Sequence, residues 1–433
     1  MLEKLITDGI AGSLDVATAK AKVRRARASY VSAGGTLYPS VSASSNFTRS
    51  GSNDGDAGSK SSFGLNSTWD IDLFGANRRG VEAAYYAKES ANELLRVTLV
   101  SLIGDIAANY VQLRGVQAQI AIAERNAASQ RQTVALTRTQ LEAGNISQVD
   151  LLSAQTQADS TDARIPALRI HYAEYLNKLS ILTGRSSMVL AGLLDKPRPL
   201  PSAPHRISAG LPANLLFSRP DIRAAERDYA AATARIGQKQ AGLYPRISLI
   251  GKINTGGANL GDLARLSTIG WSFGPDLSIP VFQGGELLAN IDMARAERDE
   301  AFIKYRQTIL TGLSDVENAS VTFNQNRLRI AQQQRIVGNS RKINALTLDQ
   351  FKAGSKSFLD VLNAQRNLLD QENELAQTRI EIILAYVALQ KALGGGWNGR
   401  IDVDRPEIVD GYTGPHLVKP FTSTFPPDRP ARP

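Results

Sequence analysis

Residue types that usually carry chemistry are scarce in this chain of 433 residues, and none of them stands in a catalytic spacing. There is no cysteine, which excludes disulfides, thiol chemistry and cysteine-based metal sites. The three histidines, His171, His205 and His416, lie far apart and give no metal-ligand spacing. The sequence has no phosphate-binding loop and no GxSxG turn. It therefore predicts a protein that is not an enzyme and that holds no cofactor and no metal.

The strongest pattern in the sequence is an internal duplication. The segment from Leu136 to Gln155 aligns without a gap on the segment from Leu346 to Gln365, at a constant offset of 210 residues (136 to 346). A period of this length exceeds a solenoid unit, so the pattern predicts two large structural repeats. We place them at residues 1–205 and 206–397, followed by a Pro-rich C-terminal tail, 398–433. The prolines between 197 and 204 predict a linker between the repeats.

Each repeat predicts a short helix, two strands, a very long helix and a return helix. The long stretches, 75–142 and 285–352, contain no proline and would each extend about 100 Å. Apolar residues recur along them every three or four positions, which is typical of a coiled-coil seam. The return helices, 148–183 and 358–393, are about half as long. We predict that each return helix stacks end to end on a short helix, 13–35 or 220–242, so that the pair matches one long helix.

An Ala-Gly turn separates each long helix from its return helix. The turns are Ala143-Gly144 and Ala353-Gly354, and glycine readily adopts the left-handed conformation that ends a helix. Asp150 and Asp360 follow at the same position in the two repeats. A carboxylate in the first turn of a helix stabilises the helix dipole, which is a purely structural explanation for both residues.

Two regions of alternating polarity, 38–74 and 244–282, predict four strands with one apolar and one polar face. Five large side chains on the apolar face are predicted to contact lipid: Phe63, Leu65, Trp69, Trp271 and Phe273. Four strands are too few to close a membrane barrel, so the chain must oligomerise to pair its strand edges. Three copies give twelve strands around a polar, wet lumen. The pattern alone also allows a soluble β-sandwich with one wet face.

The charge pattern and the N-terminus bear on partners and location. The 50 basic and 41 acidic residues are interleaved, which is typical of solvated helix faces, so no nucleic-acid partner is predicted. No run of about 18 apolar residues occurs, so no transmembrane helix is expected. The residues after Met1 show neither the basic segment nor the apolar core of a signal peptide.

Five motifs, in this order, resemble the TolC family of outer-membrane efflux proteins, in the OprM-like branch of lipoproteins that serve resistance-nodulation-division (RND) pumps. They are WDIDLFG (69–75), LPANLLFSRPDI (211–222), AGLYPRISL (241–249), AGSKSFLDVLNAQ (353–365) and LGGGW (393–397). The resemblance covers nearly the whole chain. It implies an α+β membrane protein with an internal two-fold repeat. Its long helical hairpins would form a trimeric periplasmic α-barrel, and four strands per protomer would contribute to a twelve-stranded outer-membrane β-barrel.

The same resemblance implies partners and a location. The partners are two further copies of the chain, a periplasmic adaptor (membrane fusion) protein, an inner-membrane pump, commonly of the RND type, and outer-membrane lipid. The location is the outer membrane of a Gram-negative bacterium, with the helices reaching into the periplasm. Members of this branch usually begin with a signal peptide and an acylated cysteine. Neither is present in this sequence, so we expect a shortened chain or a misplaced start codon.

The resemblance also assigns roles at the turns. The family narrows its periplasmic end with rings of carboxylates after the second Ala-Gly turn. Asp360 matches one ring position, and Asn363 stands at the next, where aspartate is common. Lys356 matches a basic tip residue, with Asp150 as its acidic counterpart in the other hairpin. The adaptor would contact the tips at Ala143, Gly144, Ala353 and Gly354.

Three functions follow from these patterns. The first is a passive exit duct of a tripartite efflux system that exports small molecules such as drugs or toxic compounds. The second is an exit duct for type I protein secretion, because the same tube serves either kind of pump. The third is a soluble coiled-coil scaffold, which the strands of membrane-spanning length disfavour. The sequence does not identify the transported substrate, the pump or the adaptor.

Overall fold

A computed structural model describes residues 1–53, 55–204, 219–395 and 401–404 of the chain. The described helices are α1 (Leu2–Gly12), α2 (Leu14–Gly35), α3 (Ala76–Glu142), α4 (Gln148–Thr183), α5 (Ser187–Leu194), α6 (Pro220–Ala241), α7 (Glu286–Lys352) and α8 (Phe358–Ala392). The strands are β1 (Ser40–Ser52), β2 (Gly55–Ile71), β3 (Arg246–Gly257) and β4 (Ile269–Ser278). His205, His416, residues 211–218 and 396–397 of the motifs, and most of the predicted tail lie outside the described residues.

The two long helices have the same length and the same ends. α3 and α7 contain 67 residues each, and each begins after a glycine with positive φ, Gly75 at 83° and Gly285 at 88°. At the start of α3, the carboxylate of Asp72 accepts hydrogen bonds from the backbone N–H groups of Asn77 and Arg78, at 3.0 and 2.8 Å. These bonds satisfy N–H groups that have no partner within the helix. They explain the second aspartate of the WDIDLFG motif.

The return helices meet the short helices end to end, as predicted. In the first repeat a side chain at Gly184, which follows α4, would clash with the carbonyl group of Gly12, which ends α1 just before α2. In the second repeat the Nη1 atom of Arg219, which precedes α6, donates a hydrogen bond of 2.7 Å to the carbonyl of Ala392 at the end of α8. Arg219 also pairs with Asp221 and with Asp315 of α7, and its hydrogen bond with Asp221 is the largest cause of its raised pKa. Arg219 thus connects three helices, α6, α7 and α8.

The four strands form one antiparallel sheet in the order β1-β2-β3-β4. The hairpins β1-β2 and β3-β4 come from different repeats, and β2 pairs with β3 across them. Within the described part of the protomer, β1 and β4 therefore each have one edge with no partner strand. Unpaired backbone groups at a sheet edge are a template for pairing with another chain.

Two short helices and a C-terminal segment were not expected from the sequence. α1 precedes the predicted first helix, and α5 follows α4. Both pack with α3 in a buried cluster that includes Leu5, Leu113, Leu190 and Val403. Arg24 of α2 donates to the carbonyl of Val403 at 3.0 Å. Residues 401–404, which were predicted to belong to the Pro-rich tail, are thus held against the first repeat because they cover its apolar surface.

The proline-rich segment that was predicted as a linker also packs on the helices. Leu200 contacts the cluster of Val111, Ile380 and Ile383. The buried guanidinium of Arg114 donates from Nη1 to the carbonyls of Leu194 and Lys196, both at 2.9 Å. The backbone carbonyls at the end of α5 and just after it therefore accept hydrogen bonds from α3. These bonds hold the proline-rich segment against the helices.

One helix contains a more apolar stretch than was predicted from the sequence. An 18-residue window within α3 reaches a mean hydropathy of 1.4, which by length and composition alone is enough to cross a membrane. Half of that window is buried inside the protomer. We interpret it as a packing surface of the helix, because apolar residues of α3 such as Leu99, Leu102 and Ile106 are buried against α1, α2, α4 and α5.

Candidate functional site

The two Ala-Gly turns form matching helical hairpin tips. Gly144 and Gly354 adopt positive φ angles of 75° and 73°, which L-amino acids with side chains rarely adopt. Ala143 and Ala353 end α3 and α7, and the backbone N–H of each is bonded to a carbonyl of the preceding turn. The four residues predicted to contact an adaptor thus lie at the exposed ends of the hairpins. Their contact with an adaptor remains a prediction.

Asp150 and Asp360 occupy equivalent capping boxes. The carboxylate of Asp150 accepts hydrogen bonds from the backbone N–H and the hydroxyl of Ser147, at 3.0 and 2.7 Å. The carboxylate of Asp360 accepts the same bonds from Ser357, at 3.1 and 2.8 Å. The hydrogen bond from Ser357 is the main cause that lowers the pKa of Asp360, and the nearby charge of Lys356 adds to it. Helix capping therefore accounts for both positions, and each carboxylate still carries its charge at the tip.

The predicted charge partner of Asp150 and the predicted second ring position are both exposed. Lys356 and Asn363 are both exposed at the second tip. Among the described residues of one protomer, no ion pair joins Lys356 to Asp150. The roles of Asp360, Asn363, Lys356 and Asp150 in constriction or gating, and any pairing between protomers, stay predictions.

An apolar cluster holds the two hairpin tips together. Its buried members come from both hairpins: Ala154 from α4, Phe351 from α7, and Phe358, Val361 and Leu362 from α8. The rings of Phe351 and Phe358 meet edge to face, with centroids 5.9 Å apart. The ring of Phe351 lies inside the cluster and is 6% exposed, so it joins the two hairpins by apolar contact.

Three polar contacts above the tip also join the hairpins, and none of them was predicted from the sequence. Arg366 donates from Nε to Oε1 of Gln157 at 2.6 Å, and Gln365 donates to the hydroxyl of Thr133 at 2.8 Å. The buried carboxylate of Glu372 accepts from Arg341 at 2.6 Å and from Asn126 at 2.9 Å. The sequence does place polar residues at helix positions that face a neighbouring helix. A search for apolar spacing alone does not detect such residues.

The strand register places the five predicted lipid-facing side chains on one face of the sheet. Leu65 is opposite Ile253, which is opposite Trp271; Trp69 is opposite Leu249, and Phe273 is opposite Gly251. Directly opposed residues project to the same face. All five side chains are exposed in the protomer. Their contact with lipid remains a prediction.

The other face of the sheet is polar. It carries serine, threonine, asparagine and glycine, with Asp70 and Arg246 paired at the helix-proximal end. Asp70 also accepts a hydrogen bond of 2.5 Å from the hydroxyl of Ser248. Within the part of the chain that the structure describes, no three His, Asp or Glu side chains gather as metal ligands. The two faces thus differ as the wall of a water-filled pore requires.

Comparisons with known proteins agree with this geometry. A family model described as "Outer membrane efflux protein" matches residues 5–185 and 211–395. The chain belongs to the outer membrane efflux protein family. Nodulation protein T of Rhizobium leguminosarum bv. trifolii is 31% identical over 405 residues, which are 92% of this chain and 86% of that protein. The solvent efflux pump outer membrane protein SrpC of Pseudomonas putida shows the same identity, 31%, over 405 residues and the same coverage, 92% and 86%.

Solved structures give the same result. The outer-membrane channel OprN superposes with a TM-score of 0.86 at 32% identity, over 92% of this chain and 90% of that chain. This efflux protein therefore has the α-barrel and β-barrel architecture of the family, and it lies in the outer membrane and reaches into the periplasm. The predicted family, fold class, location and role as an exit duct of an efflux system are confirmed, and the scaffold alternative is wrong.

Proposed function

We propose that three copies of this efflux protein close into one passive tube that exports small molecules, with no catalytic step. The observation that supports the proposal is an apolar contact between a long helix and a return helix. It is formed by α3 and α8, whereas the equivalent surfaces of α7 and α4 are exposed. Val111 of α3 packs on Ile380 and Ile383 of α8 and is 1% exposed, as is Ile380. A side chain at the neighbouring Gly115 would clash with Ile380, so α3 and α8 approach closely here.

The equivalent residues in the other repeat are exposed. At the offset of 210, Val111 corresponds to Val321 of α7, and Ile380 corresponds to Ile170 of α4. Val321 is 54% exposed and Ile170 is 62% exposed. If repeats alternate around a ring, α7 of one protomer meets α4 of the next as α3 meets α8 within the chain. The same ring pairs the free edge of β4 with that of β1 in the next copy, and three copies supply the twelve strands that a barrel with a lumen needs.

Disulfide cross-linking tests this arrangement without background, because the chain has no cysteine. The double variant Val321→Cys with Ile170→Cys should form covalent trimers on oxidation, with dimers as intermediates. The control pair, Val321→Cys with Leu152→Cys, uses the same two helices but places one thiol about 27 Å away along α4. Cross-linking that stops at dimers, or that is equal in both pairs, would contradict a closed ring of three.

The proposed cargo is small organic molecules, and the proposed partners are a periplasmic adaptor at the hairpin tips and an inner-membrane pump of the RND type. SrpC, which is similar over most of its length, is named for solvent efflux. The tips expose Ala143-Gly144 and Ala353-Gly354, which have no bulky side chains to prevent a close approach by an adaptor.

The second candidate, protein secretion, predicts a different phenotype. Deleting the gene should lower the concentration of solvents and dyes that cells tolerate, and the intact chain should restore tolerance. A strain that keeps full tolerance but no longer releases a secreted protein would replace export of small molecules with type I secretion.

A further inference from the structure

Among the side chains that the structure describes, the polar face of the sheet carries five charged ones within its paired region: Lys60, Asp70, Arg246, Lys252 and Asp276. Three of them lie at the helix-proximal end. Asp70 pairs with Arg246, and both Asp70 and Asp276 are opposite Ser248 in the register. Lys60 lies toward the opposite end, where it is opposite Thr48.

Lys252 is the charged residue in the middle of β3. It is the seventh of the 12 residues of β3, its side chain is exposed, and its direct neighbours on the same face are Asn66 and Ser272, both neutral. The carboxylates of Asp70 and Asp276 lie at the level of Ser248, four residues along the strand, which is about 13 Å. That distance exceeds the Debye length of about 8 Å at physiological salt. The charge of Lys252 is therefore not neutralised by the carboxylates of its own sheet.

We propose that Lys252 determines the ion preference of the membrane-spanning end of the duct. Three copies around the lumen form a ring of positive charge that favours anionic and acidic cargo and disfavours cations. The proposal rests on the trimeric barrel of the proposed function. Rings of lysine or arginine have this effect in anion-selective pores.

The expected size of the effect follows from Coulomb's law with screening. Three unit charges about 10 Å from the axis, in water at 0.15 M salt, raise the ratio of anions to cations on the axis about threefold. The predicted ring of Asp360 at the other end of the tube would have the opposite preference. A cation drawn in at the tip would thus meet an unfavourable ring inside the membrane-spanning barrel, whereas a neutral solvent would pass both.

A thiol placed beside Lys252 reports the local potential whether the tip is open or closed. Ser272→Cys introduces the only thiol of the chain, directly opposite Lys252 on the polar face. Trimers in liposomes are treated with two methanethiosulfonate reagents of similar size, one anionic and one cationic. The ratio of the two rate constants should fall about threefold when Lys252→Gln is added, and 1 M salt should remove the difference because the Debye length falls to about 3 Å.

Two controls separate the ways in which this could fail. Lys342→Gln removes an exposed lysine of α7 and should leave the ratio unchanged. Phe273→Cys places the thiol on the apolar face, where water-soluble reagents should react slowly. Equal reaction at Phe273→Cys and Ser272→Cys would overturn the barrel, and with it the proposed function. A reactive Ser272→Cys whose ratio is the same with Lys252 and with Lys252→Gln would overturn this proposal alone.

Discussion

Asp360 has two roles that substitutions can separate, namely a helix cap and a charge at the pore. Its carboxylate accepts two hydrogen bonds from Ser357, and Asp360→Asn keeps an oxygen that can accept them while it removes the charge. Ser357→Ala does the reverse, because it removes the capping hydroxyl and leaves the carboxylate in place. The two variants therefore test charge and capping independently.

The expected magnitudes differ between the two variants. Loss of the serine cap should cost about 1 kcal/mol of stability and change ion preference little. Three charges about 5 Å from the axis of a narrow tip would raise the local cation concentration about tenfold at 0.15 M salt. Asp360→Asn should therefore lower the cation-to-anion permeability ratio about tenfold or more.

Reversal potentials in planar bilayers, measured under a salt gradient, give this ratio directly. Asp150→Asn is the matched control, because it has the same capping geometry in the other hairpin. A cation preference that survives Asp360→Asn, or that is lost equally in Ser357→Ala, would refute the reasoning. Asp360 would then be a helix cap only, and the constriction would lie elsewhere.

Three further predictions concern stability and pH. Arg341→Ala leaves the carboxylate of Glu372, which is 8% exposed, without its cation. It should lower the free energy of unfolding by about 2–3 kcal/mol, measured by thermal unfolding. The control Arg131→Ala removes the equivalent, exposed pair and should cost at most about 1 kcal/mol. Phe351→Ala should cost about 3 kcal/mol or more, seen as faster amide hydrogen exchange confined to the tips. The pKa of Asp360 lies below its ordinary value of 3.8. The ionised carboxylate therefore contributes fully to stability above pH 3.8, and both this contribution and the negative charge are lost as the pH falls through the lowered pKa. Cation preference should thus stay constant from about pH 7 to pH 5 and decline only below 3.8; a decline near pH 6 would implicate another group.

Local patterns in the sequence were enough to predict the main elements. Proline-free stretches and Ala-Gly turns give the ends of α3, α4, α7 and α8 to within a residue or so. Strict alternation gives the two faces of the sheet, since a strand's side chains have a period of two. Their reliability has a local cause, because each pattern depends on backbone geometry within a few residues.

The elements that were missed depend on distant surfaces. α1, α5 and residues 401–404 are short. α1 does place Leu2, Leu5, Ile6 and Ile10 at helical spacing, but its 11 residues are too few for a stable helix by themselves. They are ordered because they cover apolar surface on α3, which comes from another part of the chain. Similarly, Arg366 and Gln157 lie 209 residues apart in sequence, and only the side-by-side packing of the hairpins brings them together.

The two repeats show which features follow from the sequence and which follow only from the tertiary structure. The sequence by itself determined two equivalent repeats, their helices and strands, and the family to which they are similar. It could not distinguish Val111 from Val321, since both are valines at the same position of the same pattern. Only the tertiary structure buries the first and exposes the second. The physical reason is that a helix with a narrow apolar seam can pack against any matching neighbour. Within one chain the two repeats form the contact between a long helix and a return helix only once. The equivalent surfaces of α7 and α4 therefore stay exposed and can contact another copy of the chain.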